Sequence, residues 1–566
     1  MPKKNTWITR LALVGLAILL VSGCSQPTAT PAEPPGPATP SPTSTRPPPT
    51  PSPTALPATA TPFQPQPTPE VISVWLAPYL PADLLASVQL SPQAQPAATA
   101  EEAAYRLEPG GEDPLSRWVY ALVTPFPTLE DGVSFGQVRD AWQGRSSGPF
   151  AGAPLWMDDS TRQVFTALWG EPAAGAVAIQ SSDALAESAW RDQPAWGIVP
   201  FEALEPRWKV LEVDGQSPIH KEFDPSRYPL TVPISLIQQS AAPPDPEAGS
   251  PVVAVATTNR DPAKMTVLAM TGVTALVRAT AEIMERKGVL YPAVDVRDIL
   301  LAADITHVSN EVPFARDCPK PDPFQEGLKF CSNPKYMALL EDIDTDVVEL
   351  TGDHFGDWGR DAMRYTLDLY REHGIPYYGG GYDQEDGRKP LLIEHNGNKL
   401  AFIGCNAKGG GYATARGPNP GAIDCKGDWM EAEIARLRAA GYLPIVTTQH
   451  FEYYTYEAMP KLVKDFRSWA EAGAEIISGS QAHQPHGFEY YKDTFIHYGL
   501  GNLFFDQLFL GVETDKGFID RHIIYDGRHI STEPLVIKFI DLARPRPATE
   551  EERRELLQII FQHSLW

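Results

Sequence analysis

Residues 346–354 read Asp-Val-Val-Glu-Leu-Thr-Gly-Asp-His, a short apolar run that leads directly into a small residue, a carboxylate and an imidazole. The same order recurs at residues 305–311, which end in Asn-Glu, and at residues 443–450, which end in His. Helix-type patterns separate these runs along the chain. Strands that alternate with helices form α/β folds, in which functional groups gather at the carboxyl ends of the strands. The stretch therefore predicts an α/β architecture with a site along one rim of a sheet.

The alternation extends over residues 265–478, where apolar periods and turn residues mark the boundaries. Asn396-Gly397 between two apolar runs is a strong signal for a two-residue hairpin. The expected strands are 265–270, 304–308, 346–350, 391–395, 399–403, 443–447 and 475–478. The expected helices are 275–287, 296–303, 334–342, 360–373, 429–440 and 460–472.

The polar residues at the expected rim carry carboxylates, imidazoles or an amide, all of which can coordinate a metal ion. Mixed oxygen and nitrogen ligands suit Mn²⁺, Zn²⁺ or iron, so the rim predicts metal binding or acid–base chemistry. No residue is specific when taken alone, because a lone histidine at a strand end is more often a hydrogen-bonded structural residue. Recurrence at four strand ends favours function. The clusters are Asn310 with Glu311, Asp353 with His354, His450 alone, and His483 with His486.

Longer motifs surround the same positions. They are Gly-Val-Leu-Tyr-Pro at 288–292, Gly-Asp-His-Phe-Gly-Asp-Trp-Gly at 352–359, His-Phe-Glu-Tyr-Tyr at 450–454, Ala-Gly-Ala-Glu-Ile-Ile-Ser-Gly at 472–479 and Tyr-Gly-Leu-Gly-Asn-Leu-Phe-Phe at 498–505. Over about residues 264–506 the chain resembles the CapA family of capsule and poly-γ-glutamate synthesis proteins. The resemblance implies the calcineurin-like metallophosphoesterase fold, a four-layer α/β/β/α sandwich. It also implies display outside the membrane and association with a polyanionic envelope polymer or its precursor.

The resemblance assigns roles to single residues. Glu311 takes the place of a bridging metal ligand, Asp353 replaces an amide ligand, and His354 keeps the place of the general acid. His450 keeps the histidine of a further motif. Asn310 and Asn502 are additional candidates near the site.

Two departures from the family pattern limit the expected metal content. The first strand of the family ends in Gly-Asp, whereas here Val273 follows the glycine and cannot coordinate an ion. The closing motif keeps His483 but has Gln481 in place of a histidine. We therefore expect at most one divalent ion, Mn²⁺, Zn²⁺ or iron, held by Glu311, Asp353 and His450 with Gln481 or His483 nearby.

Three classes of function remain open at this point. In the first, the ion activates water or polarises a phosphoryl or acyl oxygen, and His354 protonates the leaving group. In the second, the incomplete pocket binds an anionic polymer or its precursor without turnover. In the third, the chain is an adaptor in an envelope assembly, and its rim residues are structural.

The first residues predict the compartment. A basic region with Lys3, Lys4 and Arg10 comes before an apolar run at 11–21. The run is shorter than the ~20 residues of a membrane span, and Ser-Gly and Cys24 follow it. This order resembles a bacterial lipoprotein signal over residues 1–23. It implies cleavage before Cys24, lipidation of that residue, and a membrane-anchored protein on the outer face of the cytoplasmic membrane.

Composition predicts how the rest of the chain is divided. Residues 24–70 are rich in Pro and Thr and read as an extended linker. Residues 71–250 are expected to form a smaller α/β domain, and residues 195–236 resemble periplasmic solute-binding proteins of the phosphate-binding type. A spacer domain without a ligand is the alternative. Residues 264–545 form the expected CapA-like domain, and 546–566 a tail or helix.

Charge and cysteine content narrow the partners. The 566-residue chain has a formal net charge of −24, which repels phosphate backbones and argues against nucleic acid. An exported chain meets oxidising conditions, and short loops close at modest entropic cost. We therefore expect the disulfides Cys318–Cys331 and Cys405–Cys425.

Overall fold

The computed structural model describes residues 71–239, 252–409, 411, 413–508 and 513–566, all within one compact unit. The expected leader, Cys24 and the Pro/Thr-rich linker lie outside the described residues. The Pro-rich stretch at 240–251 lies outside them as well. Within the described part of the chain, no helix is both long enough and apolar enough to cross a membrane.

The first part of the chain forms a ten-stranded sheet, here called the N-terminal sheet, in the order β3-β1-β4-β11-β5-β9-β7-β8, with β10 pairing to β5 and β6. A short pair, β2 with β12, lies beside it. The strands of the ten-stranded sheet and of the short pair together are β1 (Ile72–Leu76), β2 (Gln89–Leu90), β3 (Ala94–Pro96), β4 (Tyr105–Pro109), β5 (Ser116–Pro125), β6 (Gly132–Val133), β7 (Leu155–Met157), β8 (Val177–Ile179), β9 (Trp196–Pro200), β10 (Trp208–Val213), β11 (Thr231–Gln238) and β12 (Val253–Ala254). Its helices are α1 (Ala82–Ala86), α2 (Phe135–Trp142), α3 (Asp159–Trp169) and α4 (Ser182–Arg191).

The second part contains two large sheets and a two-stranded sheet formed by β17 and β20. Sheet I has the order β16-β15-β14-β13-β26-β27-β28, with β25 paired to β13, and sheet II the order β18-β19-β21-β22-β24-β23. The strands are β13 (Met265–Thr274), β14 (Ile305–Asn310), β15 (Val347–Glu349), β16 (Tyr377–Tyr378), β17 (Gly380–Gly381), β18 (Leu391–His395), β19 (Asn398–Asn406), β20 (Gly421–Ala422), β21 (Leu443–Gln449), β22 (Ile476–Ser478), β23 (Phe488–Tyr491), β24 (Thr494–His497), β25 (Asn502–Phe504), β26 (Lys516–Tyr525), β27 (Arg528–Phe539) and β28 (Pro545–Pro547). The helices are α5 (Arg278–Lys287), α6 (Arg297–Leu301), α7 (Met337–Asp342), α8 (Gly359–Glu372), α9 (Gln384–Gly387), α10 (Trp429–Ala439), α11 (Pro460–Glu471) and α12 (Glu550–Gln562).

Three apolar cores arrange these elements in four layers. One core joins α5 to α8 with the outer face of sheet I, for example Met284 and Leu367 with Val308. A second core lies between the sheets, where Leu268 of sheet I and Phe402 of sheet II are both fully buried. A third core joins sheet II to α10 and α11. The fold is therefore the expected α/β/β/α sandwich, preceded by a smaller α/β part.

The carboxyl ends of the parallel strands of both sheets place the candidate site. In sheet I, β13, β14 and β15 run parallel, and in sheet II, β19, β21 and β22 do. The strands expected from the sequence are present. β13 extends four residues beyond the expected 265–270, because it is a central strand with every residue buried. Asn396-Gly397 forms the expected turn between β18 and β19.

The N-terminal sheet and the sandwich share apolar contacts. Phe126, which follows β5, packs edge-on against Phe488, Phe495 and Phe561, with ring centroids 5.2, 5.6 and 6.1 Å away. Phe126 is thus part of the core between sheets I and II. Residues 546–566, expected as a tail or helix, contribute α12 to that same core. The resemblance of the N-terminal part to solute-binding proteins stays a prediction.

Candidate metal centre

The loops after β14 and β15 meet at the rim of sheet I. The Glu311 N–H donates to Thr274 O at 3.0 Å, which fixes Glu311 directly beyond β14. Gly352 allows the next loop to approach, since a Cβ at this residue would lie 2.6 Å from Glu311 O. The missing side chain therefore lets Asp353 and His354 lie beside Glu311.

The Glu311 carboxylate is the central group of the site. Its residue is only 1% exposed, and neither carboxylate oxygen has a hydrogen-bond partner among the described residues. Burial raises the pKa of Glu311, the positive charge of His483 and His354 opposes that shift, and the negative charge of Asp353 and Glu452 adds to it. A buried carboxylate without a partner is costly unless a cation compensates it.

His483 presents a nitrogen to Glu311. Its Nδ1–H donates to Asn502 Oδ1 at 2.9 Å, and its Nε2 lies 3.8 Å from Glu311 Oε1. A partner on Nδ1 fixes the ring and leaves the Nε2 lone pair free to coordinate, as in many metal-binding histidines. Asn502, an additional candidate from the sequence, thus acts through His483.

The orientation of the His354 ring is fixed by a hydrogen bond to Asp357. Its Nδ1–H donates to Asp357 Oδ2 at 2.7 Å, and the Phe330 N–H donates to the same oxygen at 2.8 Å. Burial lowers the pKa of His354, but the hydrogen bond to Asp357 and the charges of Glu311 and Asp353 outweigh burial and raise it to about 9. The imidazole is therefore a positioned proton donor at the rim.

Two groups of potential ligands share Glu311. One consists of Glu311, Asp353 and His354, and the other of Glu311, Glu452 and His483. Within each group one ligand atom per residue lies within 4.8 Å of the others. Carboxylate and imidazole ligands in this arrangement fit a divalent transition ion. The unpartnered oxygens of Glu311 and the buried, unpartnered Asp353 Oδ1 support that fit.

A lysine lies between the two groups. Lys408 Nζ is 2.6 Å from Asp353 Oδ2 and 2.5 Å from Glu452 Oε1. Burial lowers the pKa of Lys408, but these two carboxylates outweigh it and raise the pKa. Burial raises the pKa of Glu452, but the charge of His483, followed by the contacts with Lys408 and Tyr454, outweighs burial and lowers the pKa to about 2.

The structure does not bring every expected ligand to Glu311. His450 belongs to neither potential ligand group, and its Nε2 lies 3.2 Å from Asp465 Oδ2 of α11. Asn310 Nδ2 donates to Val312 O at 2.9 Å, and Gln481 Nε2 donates to Ser309 Oγ at 2.6 Å. These contacts make Asn310 and Gln481 supports of the neighbouring backbone and strand.

Val273 lies in an apolar cluster rather than at an ion. It is fully buried with Val312, Phe330 and Phe505. Two of these rings face the site histidines, Phe330 with its centroid 4.9 Å from His354 and Phe505 5.2 Å from His483. An apolar wall therefore stands where the family pattern places a carboxylate.

Sequence reasoning did not identify Glu452 or Lys408 as site residues. Glu452 lies within the quoted motif at 450–454, two residues after His450. Lys408 follows β19 at its carboxyl end, the position that identified the other candidates. The strand-end rule, applied to the expected strand at 399–403, points to this segment, whereas the contacts of Lys408 with Asp353 and Glu452 follow from the assembled fold.

Both expected disulfides are present. Cys318–Cys331 has a Cα–Cα distance of 5.7 Å and Cys405–Cys425 one of 5.1 Å. The second begins in β19, three residues before Lys408. The Cys405–Cys425 disulfide therefore restrains the start of the loop that carries Lys408.

The chain was compared with known proteins. Residues 267–507 match the family described as "Bacterial capsule synthesis protein PGA_cap". The "Capsule biosynthesis protein CapA" of Bacillus anthracis is 24% identical over 319 residues, 54% of this chain and 76% of that protein. The "PGA biosynthesis protein CapA" of Bacillus subtilis (strain 168) is 24% identical over 275 residues, 48% of this chain and 70% of that protein.

Solved structures are also similar to parts of the chain. A 5'-nucleotidase precursor from Thermus thermophilus is 13% identical to this chain. The match covers 52% of this chain and 57% of the nucleotidase chain, with a TM-score of 0.29.

Proposed function

Because residues 267–507 are a CapA-type region that matches the PGA_cap family, we propose that this protein takes part in the synthesis or processing of an anionic envelope polymer such as capsule or poly-γ-glutamate. We place it outside the cell, anchored to the outer face of the cytoplasmic membrane through a lipid on Cys24. The order of basic, apolar and small residues before Cys24 supports this placement.

The unpartnered carboxylate of Glu311 carries the proposal for the site. A glutamate that is 1% exposed and accepts no hydrogen bond from the described residues is stabilised in its charged form by a bound cation. We propose one divalent ion, Mn²⁺, Zn²⁺ or iron, held by Glu311, Glu452 and His483. When bound, such an ion acts as a Lewis acid and lowers the pKa of water.

The surrounding residues have distinct tasks in this proposal. Asn502 holds the His483 ring so that Nε2 faces Glu311, and Asp357 holds His354 so that its other nitrogen is free to donate a proton to a leaving group. Phe330 and Phe505 exclude water from one side of these imidazoles. Together these features favour metal-dependent hydrolysis or transfer at a carboxylate- or phosphate-bearing polymer.

Val273 favours a second candidate, binding of the same anionic polymer without turnover. It replaces a carboxylate of the family pattern by an apolar side chain. A two-ion clamp on an in-line displacement needs ligands for both ions. A site with fewer ligands is better suited to recognition than to fast phosphoryl transfer.

The test combines ion content with turnover. The full chain, purified without chelators, should contain about one transition ion by elemental analysis, and should cleave poly-γ-glutamate or a phosphodiester probe slowly. His354→Ala should keep the ion and lose at least ~100-fold in turnover, the contribution expected of a general acid. Equal turnover in His354→Ala and wild type would exclude the proton-donor role. One bound ion with no turnover on either probe would favour the binding function.

Localisation has its own test. Cys24→Ser should move the protein from the membrane fraction to the soluble fraction. A variant that stayed in the membrane with its leader uncut would contradict lipid anchoring.

A further inference from the structure

Lys408 occupies a specific position in the site. Its ammonium contacts Asp353 and Glu452, and these two carboxylates belong to the two different ligand groups that share Glu311. The nitrogen thus contacts one potential ligand from each of the two groups that would hold ions. No other Lys or Arg among the described residues has an ion pair recorded with Glu311, Asp353 or Glu452.

The backbone around Lys408 is fixed on both sides. Before it, Asn406 Nδ2 donates to Thr351 O at 2.9 Å, and the Ala407 N–H donates to Gln449 O at 2.7 Å. After it, the Gly409 N–H donates to Asn406 Oδ1 at 2.8 Å. The Cys405–Cys425 disulfide restrains the same loop. The lysine stem therefore starts from a rigid base, and its side chain is only 30% exposed.

The charges explain why one ion and one ammonium fit together. Glu311, Asp353 and Glu452 bring three carboxylates to a partly buried rim, and Lys408 contacts two of them without needing a shell of ligands. His354, whose pKa is raised to about 9, adds a second cationic side chain at the same rim, and positive charge already present disfavours a second divalent ion. A second divalent ion, in the group of Glu311, Asp353 and His354, would have to displace the ammonium from Asp353. On the remaining side, Val273 offers no ligand.

We propose that Lys408 Nζ is a built-in cation that takes the place of a second metal ion. The site then holds a single divalent ion at Glu311, Glu452 and His483, and the ammonium supplies the second positive charge that an anionic carboxylate or phosphate oxygen contacts. This proposal rests on the proposed metal site. It adds that the chain itself limits the stoichiometry.

The experiment counts ions on the folded full chain. Wild type is titrated with Mn²⁺ by calorimetry and checked by elemental analysis after gel filtration, and should bind one ion. Lys408→Met removes the charge at nearly constant volume and should bind two, with the second gained at least tenfold in affinity over wild type. Lys408→Arg keeps the charge and should bind one. Lys461→Met is the matched control, because Lys461 also pairs with a carboxylate, Asp465, but lies outside both ligand groups.

The outcomes separate this proposal from the metal site itself. One ion in both wild type and Lys408→Met would overturn the role of Lys408 and leave the one-ion site standing. Two ions in wild type would overturn it as well. No ion in any variant would overturn both proposals. If Lys408→Met does not fold, judged by circular dichroism, Lys408→Gln replaces it, with the same expected gain of a second ion.

Discussion

Glu311 and Glu349 are two buried glutamates at the rim ends of neighbouring strands, and their surroundings differ completely. Glu311 is 1% exposed and Glu349 0% exposed. Glu349 accepts hydrogen bonds from the hydroxyls of Thr351 and Ser480. Glu311 accepts none from the part of the chain that is described. Burial raises the pKa of both carboxyls, but hydroxyl donors oppose the shift at Glu349 and only imidazole charge opposes it at Glu311.

The difference separates a structural carboxylate from a ligand carboxylate. Burial and a raised pKa are common to both residues, so neither property identifies a site. What distinguishes Glu311 is that its oxygens accept no hydrogen bond from any residue that the structure describes. Four predictions test this distinction.

The largest effect is expected for Glu311→Gln. Removing the shared ligand of both groups should reduce bound ion from about one per chain to none by elemental analysis. Unfolding in the presence of chelator should show unchanged or increased stability, because a buried charge without a partner has been removed. Glu349→Gln is the matched control and should keep the ion. Retention of the ion in Glu311→Gln would remove the basis of the distinction.

Glu349→Ala should affect stability instead of metal content. It leaves the hydroxyls of Thr351 and Ser480 buried without their acceptor, at about 1–3 kcal/mol for each group left unpaired. Denaturant unfolding at equal ionic strength measures the loss. A fall of less than about 0.5 kcal/mol would show that the hydroxyls find other acceptors and that the Glu349 network is not structural.

Asn502→Ala tests whether the metal ligand depends on its support. The variant removes the acceptor of the His483 Nδ1–H but no ligand atom. Loss of such a supporting contact typically costs about 10–100-fold in metal affinity. Mn²⁺ titration measures the change, and Asn502→Asp, which keeps an acceptor oxygen, should restore most of it. Equal affinities in Asn502→Ala and wild type would place the ion away from His483.

The smallest effect is expected from a buried histidine far from the rim. Burial lowers the pKa of His529 to about 3, and its Nδ1 has no partner among the described residues. His529 becomes protonated near pH 6.5 in the unfolded chain but only near pH 3 in the folded chain. This group therefore makes the free energy of unfolding fall as the pH drops from about 6.5 towards 3. Between pH 7 and pH 5 the contribution is at most about 2 kcal/mol.

His529→Asn should therefore reduce the slope of the free energy of unfolding against pH over that interval, measured by denaturant titration at each pH, while buried histidines such as His307 and His486 keep the rest of the slope. The groups that contact His529, His522 and Thr532, are unchanged in the variant. An unaltered slope would show that His529 does not titrate differently in the two states. The prediction also sharpens the main comparison, because an unpartnered neutral nitrogen costs far less than an unpartnered carboxylate.

The sequence predicted the sandwich well because its strands and helices carry clear apolar periods. It also predicted that Glu311, Asp353, His354 and His483 lie at one rim, since each follows a parallel strand. His450 follows β21 in the same way, yet its ring turns towards Asp465 of α11. The direction of the first side chain beyond a strand depends on local backbone angles and on the neighbouring helix, and no periodicity encodes it.

Glu452 and Lys408 were missed for a related reason. Both lie in irregular segments, and Lys408 precedes a glycine-rich run that has no apolar period. Their position follows from tertiary contacts, such as the hydrogen bonds of Asn406 to Thr351 and of Gly409 to Asn406. Long-range restraints of this kind, including the Cys405–Cys425 disulfide, become visible only when the sheets are assembled.

Phe126 has a consequence for how such a protein can be recombined. Phe126 follows β5 of the N-terminal sheet, and its ring packs among Phe488, Phe495 and Phe561 of the sandwich. Replacing residues 71–239 by an unrelated domain would leave that place empty, and the sandwich alone would expose it to water. The two parts are therefore not interchangeable modules, and a working chimera would have to carry Phe126 and its aromatic neighbours together as a single inherited unit.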